Sequence, residues 1–339
     1  NINFVGRLWA YFSFVFSSIY AGLFKTKGNY DFILVTSPPL FVGITAYLLS
    51  RMYRIPYVFE IRDLWPESAI DTGVLRNKLI IKFAFAFERF IYKRAKLINV
   101  LTPAFRDKLV SIKNVPIEKV IFIPNAADFT LSDKIQNDAS FDALEFKKEL
   151  GFENNFVITY VGAHGVSNHL IQLLDAAEIL VNTNIVFQLI GSGMRKEFLK
   201  TEVIKRNLSN VIFRDPVPKS DIFKYILASD VGASVLKNVE SFKTIYSNKT
   251  FDYMSCKIPI ILIIDGVSRE LIESAKCGIY AEPENPLAIA NVSKEMSMLG
   301  KTVLNQMGLN GYNYAKEHFD REKLSIKYIQ ELNIVISEK

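Results

Sequence analysis

Ser247-Asn248-Lys249-Thr250-Phe251-Asp252-Tyr253-Met254-Ser255-Cys256-Lys257-Ile258-Pro259 is followed by the apolar run Ile260 to Ile264 and by Ser268-Arg269-Glu270-Leu271-Ile272-Glu273. It reads as a polar loop, a helix start, a buried strand and a second helix start. A short apolar run set between helical stretches marks a strand covered on both faces, as in a parallel α/β sheet. Ligands of open α/β sheets bind at such junctions, where unpaired amides and the positive end of a helix dipole gather. Asp252 places one carboxylate among the helical residues just after the loop.

The alternation extends in both directions. Residues 32–36, 56–61, 97–101 and 120–123 read as strands, with helices at 40–52 and about 77–96. Thr102-Pro103 supplies the N-cap and first residue of another helix. A second series has strands at 156–161, 185–190, 211–214, 231–235 and 258–264, separated by helices at 170–181, 195–207, 220–228, around Asp252, and then 268–274. The pattern predicts an α/β protein of two Rossmann-like, doubly wound parallel-sheet domains. Their expected bounds are 1–128 and 151–320, with a polar linker at 129–150 and a C-terminal helix at 321–339 packing back toward the first domain.

Composition is compatible with this reading. The 339 residues are 50% hydrophobic and 22% charged, which excludes disorder and provides apolar surface for two cores. Cys256 and Cys277 show no pairing pattern, so the expected compartment is the reducing cytoplasm. Residues 1–128 carry 17 Lys and Arg against 9 Asp and Glu, the remainder 24 against 26. That asymmetry points to an anionic partner for the first half: a membrane surface, a phosphorylated lipid or a nucleic acid. The apolar segment Leu8 to Phe24 lacks a basic leader and a cleavage site, and serines interrupt it, so a core or interfacial helix is expected rather than a signal peptide or a span. The helix bearing Lys78, Lys82, Arg89, Lys93, Arg94 and Lys96 among phenylalanines has the composition of one lying on an anionic bilayer.

Three loops carry candidate chemistry. Gly162-Ala163-His164-Gly165 follows a strand, where glycines let a backbone approach a phosphate and His164 can donate to a diphosphate or a sugar hydroxyl. Gly191-Ser192-Gly193 follows the next strand, with Arg195 entering the helix as a candidate phosphate contact. In the basic half, Glu60-Ile61-Arg62-Asp63-Leu64-Trp65-Pro66-Glu67 lies at a strand end, where Arg62 can neutralise a phosphate and Asp63 or Glu67 can orient a hydroxyl. A dinucleotide GxGxxG fingerprint and a GxxxxGK[ST] loop are both absent, which lowers redox and P-loop chemistry together. The three histidines form no ligand cluster, and neither CxxC nor D-x-D occurs, so no metal and no other cofactor is expected.

Thr36-Ser37-Pro38-Pro39, Glu60 to Ser68, Ile123-Pro124-Asn125 and the stretch Ser247 to Pro259 resemble the retaining glycosyltransferases of family 4, with the GT-B fold, especially those building bacterial O-antigen and capsule. The resemblance runs from about Tyr30 to the C-terminus and implies two domains facing across a cleft. It implies retaining, metal-independent transfer of a hexosyl or N-acetylhexosaminyl group from a nucleotide-diphosphate donor, a UDP-sugar, to a lipid-linked saccharide. The expected partners are the donor, the acceptor and an anionic membrane surface, not a nucleic acid; the expected place is the inner face of the cytoplasmic membrane. The donor-side residues are Gly162, His164, Gly165, Gly193, Arg195, Ser247, Asn248, Lys249 and Asp252, with Asp252 on the ribose hydroxyls; Arg62, Asp63 and Glu67 are the acceptor-side catalytic candidates.

Thr244 stands where many members of that family carry a glutamate, and Asp252 replaces the usual longer acid. The family's first strand and glycine-rich acceptor loop have no counterpart before Asn1, so the expected chain is N-terminally incomplete. A non-hydrolysing UDP-sugar epimerase, or a non-catalytic nucleotide-binding relative, would share the architecture and the ribose contact.

Overall fold

The computed structural model describes residues 4–337. They fall into two compact units. The first comprises the chain to Pro124, the short segment Val239–Ile245 and the chain from Leu324; the second comprises Asn125–Asn238 and Tyr246–Lys323.

The first unit runs α1 (Phe4–Phe24), β1 (Ile33–Ser37), α2 (Val42–Tyr53), β2 (Tyr57–Ile61), α3 (Glu67–Asp71), α4 (Lys78–Arg94), β3 (Leu97–Val100), α5 (Pro103–Asp107) and β4 (Val120–Phe122). A π-helical turn, Lys108–Ile112, leads out of α5. The strands form a parallel sheet in the order β1-β2-β3-β4. Every residue of β2 and β3 is buried, which is why both read as mainly apolar runs; the two polar exceptions, Glu60 and Asn99, meet each other, the Asn99 side-chain amide donating to Glu60. Helix starts follow local chemistry. The Asn77 side chain accepts from the Leu79 and Ile80 amides at the head of α4, and Thr102 accepts from Phe105 with Pro103 behind it at the head of α5.

The second unit contains α6 (Phe129–Gln136), α7 (Ala143–Glu149), β5 (Phe156–Val161), α8 (Ile171–Ile179), β6 (Ile185–Ile190), α9 (Lys196–Lys205), β7 (Val211–Arg214) and α10 (Lys219–Leu227). It continues with β8 (Val231–Val235), α11 (Asn248–Ser255), β9 (Ile260–Ile263), α12 (Val267–Ala275), β10 (Gly278–Tyr280), α13 (Pro286–Met298) and α14 (Lys301–His318). Its six parallel strands are ordered β10-β9-β8-β5-β6-β7. β5 therefore pairs with β6 on one side and β8 on the other, and the direction of winding reverses between β5 and β8. That reversal is the topological switch point, where the carboxyl ends of neighbouring strands diverge and leave a crevice. α15 (Arg321–Ser337) closes the chain, and its Val335 packs on Val58 and Leu97 of the first unit.

Residues 129–150 are not a linker. Asp128 caps α6 through the Leu131 amide, Asp142 caps α7 through Leu144 and Glu145, and both helices belong to the second unit. Phe129, Ser132 and Ile135 are buried, and α6 packs against α10 and α11. The outward polar faces dominate the composition of this stretch, so its sparse apolar positions look unstructured until their partners are known. The first domain likewise ends at Pro124 rather than residue 128, because Ala127 pairs with Asp320 inside the second unit.

Candidate functional site

At the carboxyl ends of β5, β6 and β7 the second unit holds a cleft of about 420 Å³. Gly162 and Ala163 leave β5, Gly191 and Ser192 leave β6, and Pro216 and Val217 follow β7; Lys219 of α10 and Asp252 of α11 complete the walls. The loops lie so close that a Cβ on Gly191, whose φ is +146°, would run into the Gly162 carbonyl. Only glycine tolerates both that φ and that approach.

Asp252 owes its place to its neighbour. The Tyr253 hydroxyl, wholly buried, accepts from the Val161 amide at 3.1 Å and lies within donating distance of the Thr159 and Ala233 carbonyls at 3.0 and 3.1 Å. Thr159 and Val161 are on β5 and Ala233 is on β8, so this one hydroxyl spans the switch point and fixes α11 against it. Burial pushes the Asp252 carboxyl up to about 6, against the Lys219, Arg321 and Lys249 charges that favour its ionised form; the Asp128 carboxylate adds to the rise. Asp128 is itself held by Lys219 at 3.1 Å and Arg321 at 2.7 Å.

Lys249 lies one helical turn before Asp252. Its Nζ donates to Ser247 Oγ at 3.1 Å and sits 5.0 Å from the centre of the Tyr160 ring, whose hydroxyl donates to the Ala163 carbonyl at 2.9 Å. Burial pulls this ammonium down to about 8, partly opposed by Asp252. Ser247 is buried at the N-cap position of α11 and Asn248 is exposed. Gly162, Ser247, Lys249 and Asp252 are thus gathered at the head of α11.

Other donor-side candidates are placed differently. His164 is fully buried behind the loop, its ring against Tyr160 and Phe213, with no hydrogen bond to either ring nitrogen. Burial, with Lys196 and Lys200 nearby, pulls it down to about 4, so it is neutral at physiological pH and does not face the cleft. What the loop uses is its backbone: the amide donates to the Ser192 carbonyl and the carbonyl accepts from the Arg195 amide. Gly165 is half-buried and stands off the cleft wall, and Gly193 packs against the His164 backbone. Arg195 is exposed, its guanidinium 4.4 Å from the Phe198 ring centre. The buried cation is its neighbour Lys196, whose Nζ donates to the Gly191 and Arg214 carbonyls and to Asp215 at 2.8, 2.9 and 2.8 Å, bracing the loop from behind. Lys196 and Lys219 were missed by sequence reasoning. The Pro216-Val217-Pro218 run before Lys219, a rigid turn at a strand end, is the one signal that marks the place of Lys219.

In the first unit Arg62, Asp63 and Glu67 take separate partners rather than one constellation. Arg62 is exposed and pairs with buried Glu60 at 2.8 Å. Asp63 accepts from Ser68 at 2.6 Å and is raised by burial despite that bond. Glu67 pairs with Lys113 at 2.5 Å. Thr244 belongs to this unit too, its carbonyl accepting from Thr102 Oγ1 at 2.7 Å. Among the described residues no group of three or more His, Cys, Asp or Glu is arranged to hold a metal ion.

The glycosyl transferase 4-like domain matches residues 2–126 and the glycosyl transferases group 1 family matches residues 142–313. WcaI of Escherichia coli (strain K12), provisionally named a colanic acid biosynthesis glycosyl transferase, is 26% identical over 204 residues, 59% of this chain and 49% of its own length. WbjE of Pseudomonas aeruginosa, provisionally named a glycosyltransferase, is 22% identical over 275 residues, 79% of this chain and 66% of its own. The chain thus spans about half the length of the first relative and under two thirds of that of the second. Anabaena Alr3699/HepE, crystallised with UDP-glucose, superposes with a TM-score of 0.75 at 18% identity, over 94% of this chain and 81% of that one. With half of its residues matched, this chain belongs to the glycosyl transferases group 1 family.

Proposed function

We propose that the chain transfers a hexosyl or N-acetylhexosaminyl group from a UDP-sugar to a lipid-linked saccharide in the assembly of a surface polysaccharide, with retention at the anomeric carbon and without a metal. The observation that carries this reading is Asp252, held by Tyr253 at the wall of the cleft beyond the carboxyl ends of β5, β6 and β7. A carboxylate accepts two neighbouring hydroxyls at once, which suits a ribose, each charge-assisted bond contributing about 1.5–3 kcal/mol. Pro216 and Val217 offer an apolar wall for the base, and the Gly162 turn with Lys249 beside it offers room and charge for the diphosphate. An ammonium near 8 regains its full charge beside a phosphate and stabilises the leaving nucleotide as negative charge develops. UDP-glucose in HepE and the colanic acid role named for WcaI support the donor class and the pathway class.

The same reading includes attachment to an anionic membrane face. Trp9 (75% exposed), Phe16 and Tyr20 form an exposed stripe on α1, on a different face from buried Val15. On α4, Leu79 (79% exposed) and Phe83 (65%) face solvent beside Lys78 and Lys82. Exposed aromatics bordered by lysines suit the headgroup boundary of anionic lipid. No helix among the described residues is long and apolar enough to cross a membrane.

The test is a thermal-shift panel of UDP, GDP, dTDP and their sugars on the wild type and Asp252→Ala. UDP and UDP-sugars are expected to stabilise the wild type alone; if no nucleotide stabilises it, the site assignment fails. Transfer without EDTA sensitivity, with the anomeric configuration of the product read by NMR, tests the chemistry. Isomerisation of the donor in the absence of acceptor would instead identify an epimerase.

A further inference from the structure

The first unit contains a second cavity, of about 910 Å³, between α4 and the segment leaving the π-helical turn. Its inner end holds two carboxylates on one ammonium: Lys113 Nζ contacts Glu67 at 2.5 Å and Glu88 at 2.6 and 2.7 Å. Glu88 is 3% exposed, and burial raises its carboxyl to about 7 even with Lys113 against it. Glu67 Oε2 is buried with no hydrogen-bond partner. Glu88 also accepts from the Tyr92 hydroxyl, so the acceptor left short of a donor is Glu67 Oε2, and a buried acceptor without a donor is costly.

The outer end has the opposite character. Arg89 and Lys93, one turn apart on α4, are exposed and form no ion pair among the described residues. Lys119 adds a third cation, its Nζ donating to the Lys93 and Ala95 carbonyls at the end of α4. Between the two ends the wall is aromatic and aliphatic, from Phe85, Tyr92, Ile112 and Pro116. Hydroxyl acceptors deep inside, flat apolar side walls and cations at the mouth match a ligand that is a polyol at one end and an anion at the other.

We propose that the first unit binds a glycosyl phosphate in this cavity, the sugar hydroxyls donating to Glu67 and Glu88 and the phosphate lying on Arg89 and Lys93. Such a group is the head of a lipid-linked saccharide, so the inference deepens the transferase reading and rests on it for the identity of the acceptor. Glu67 then serves the acceptor from this cavity rather than beside Arg62. A planar arginine fork and a lysine in register on one helix face hold a phosphate by charge-assisted bonds.

Binding of N-acetylglucosamine 1-phosphate to the full chain without nucleotide, measured by calorimetry beside inorganic phosphate and free N-acetylglucosamine, tests it. The sugar phosphate is expected to bind at least tenfold more tightly than either half. Arg89→Ala combined with Lys93→Ala, both exposed, is expected to weaken it tenfold or more, and Glu67→Gln to weaken the sugar phosphate but not inorganic phosphate. Its affinity is expected to persist in Asp252→Ala, which separates this cavity from the nucleotide cleft. No binding at millimolar concentration, equal binding of inorganic phosphate, or indifference to the Arg89 and Lys93 changes overturns the inference. UDP stabilisation that survives such a result leaves the transferase reading standing; sugar-phosphate binding without UDP stabilisation removes that reading instead.

Discussion

The Tyr253 hydroxyl accepts the Val161 amide at 3.1 Å, tying the residue beside the site carboxylate to the last residue of the central strand. Val161 also lines the cleft, so this bond, with those the same hydroxyl makes to Thr159 and Ala233, ties the strand end to the helix carrying Asp252. Removing the hydroxyl leaves a buried N–H unpaired, at a cost of about 1–3 kcal/mol. Tyr253→Phe is therefore expected to lower the Tm by several degrees and to weaken nucleotide binding, with the ring still packed against Gly232. Unchanged UDP affinity in a destabilised Tyr253→Phe protein would show that Asp252 is positioned by other contacts.

Asp252 couples binding to pH. Its carboxyl is raised from 3.8 to about 6, so the native state holds more protons than the unfolded chain between those values and loses stability as pH rises through that window. Ribose hydroxyls favour the ionised form. UDP affinity is expected to be level above pH 7 and to fall up to tenfold per unit below about 6. Asp252→Asn should abolish that slope, weaken UDP about 10- to 100-fold and raise the Tm at pH 7. Calorimetry of UDP binding from pH 5 to 8 on both proteins measures all of this.

Lys249 separates phosphate recognition from nucleoside recognition. Lys249→Ala is expected to weaken UDP tenfold or more while changing uridine affinity less than threefold. Equal loss for both ligands would mean that the side chain supports the head of α11 through Ser247 rather than meeting the diphosphate.

Gly191 tests the loop geometry. Gly191→Ala places a methyl against the Gly162 carbonyl at a φ of +146°, and neither the backbone nor the neighbouring loop has room to give. The variant is expected to lose about 1–3 kcal/mol of stability and all measurable nucleotide binding, read by urea unfolding and thermal shift. A protein of wild-type stability would show that the two loops separate easily.

Phe156–Val161, Ile185–Ile190, Val211–Arg214 and Val231–Val235 lie where mainly apolar runs between turn residues put them, because strands covered in a parallel sheet carry few polar positions, here Thr159, Gln188, Arg214 and Ser234. The helix carrying Asp252 and the helix start at Thr102-Pro103 were legible too, the latter because an N-cap hydroxyl and a proline at the first helical position are local signals. Side-chain direction at loop ends was not. Arg195 and Lys196 are adjacent, yet a helix turns about 100° per residue, so one stacks in solvent on Phe198 and the other braces Gly191 from within. His164 lies in the expected glycine loop but points behind it, a choice made by the packing of Tyr160 and Phe213. Residues 129–150 became helices through partners on α10 and α11 roughly a hundred residues away. Local periodicity reports which backbone segments must be hidden from water; which of their side chains meet depends on contacts between segments far apart in the chain, and those existed only once both units had folded.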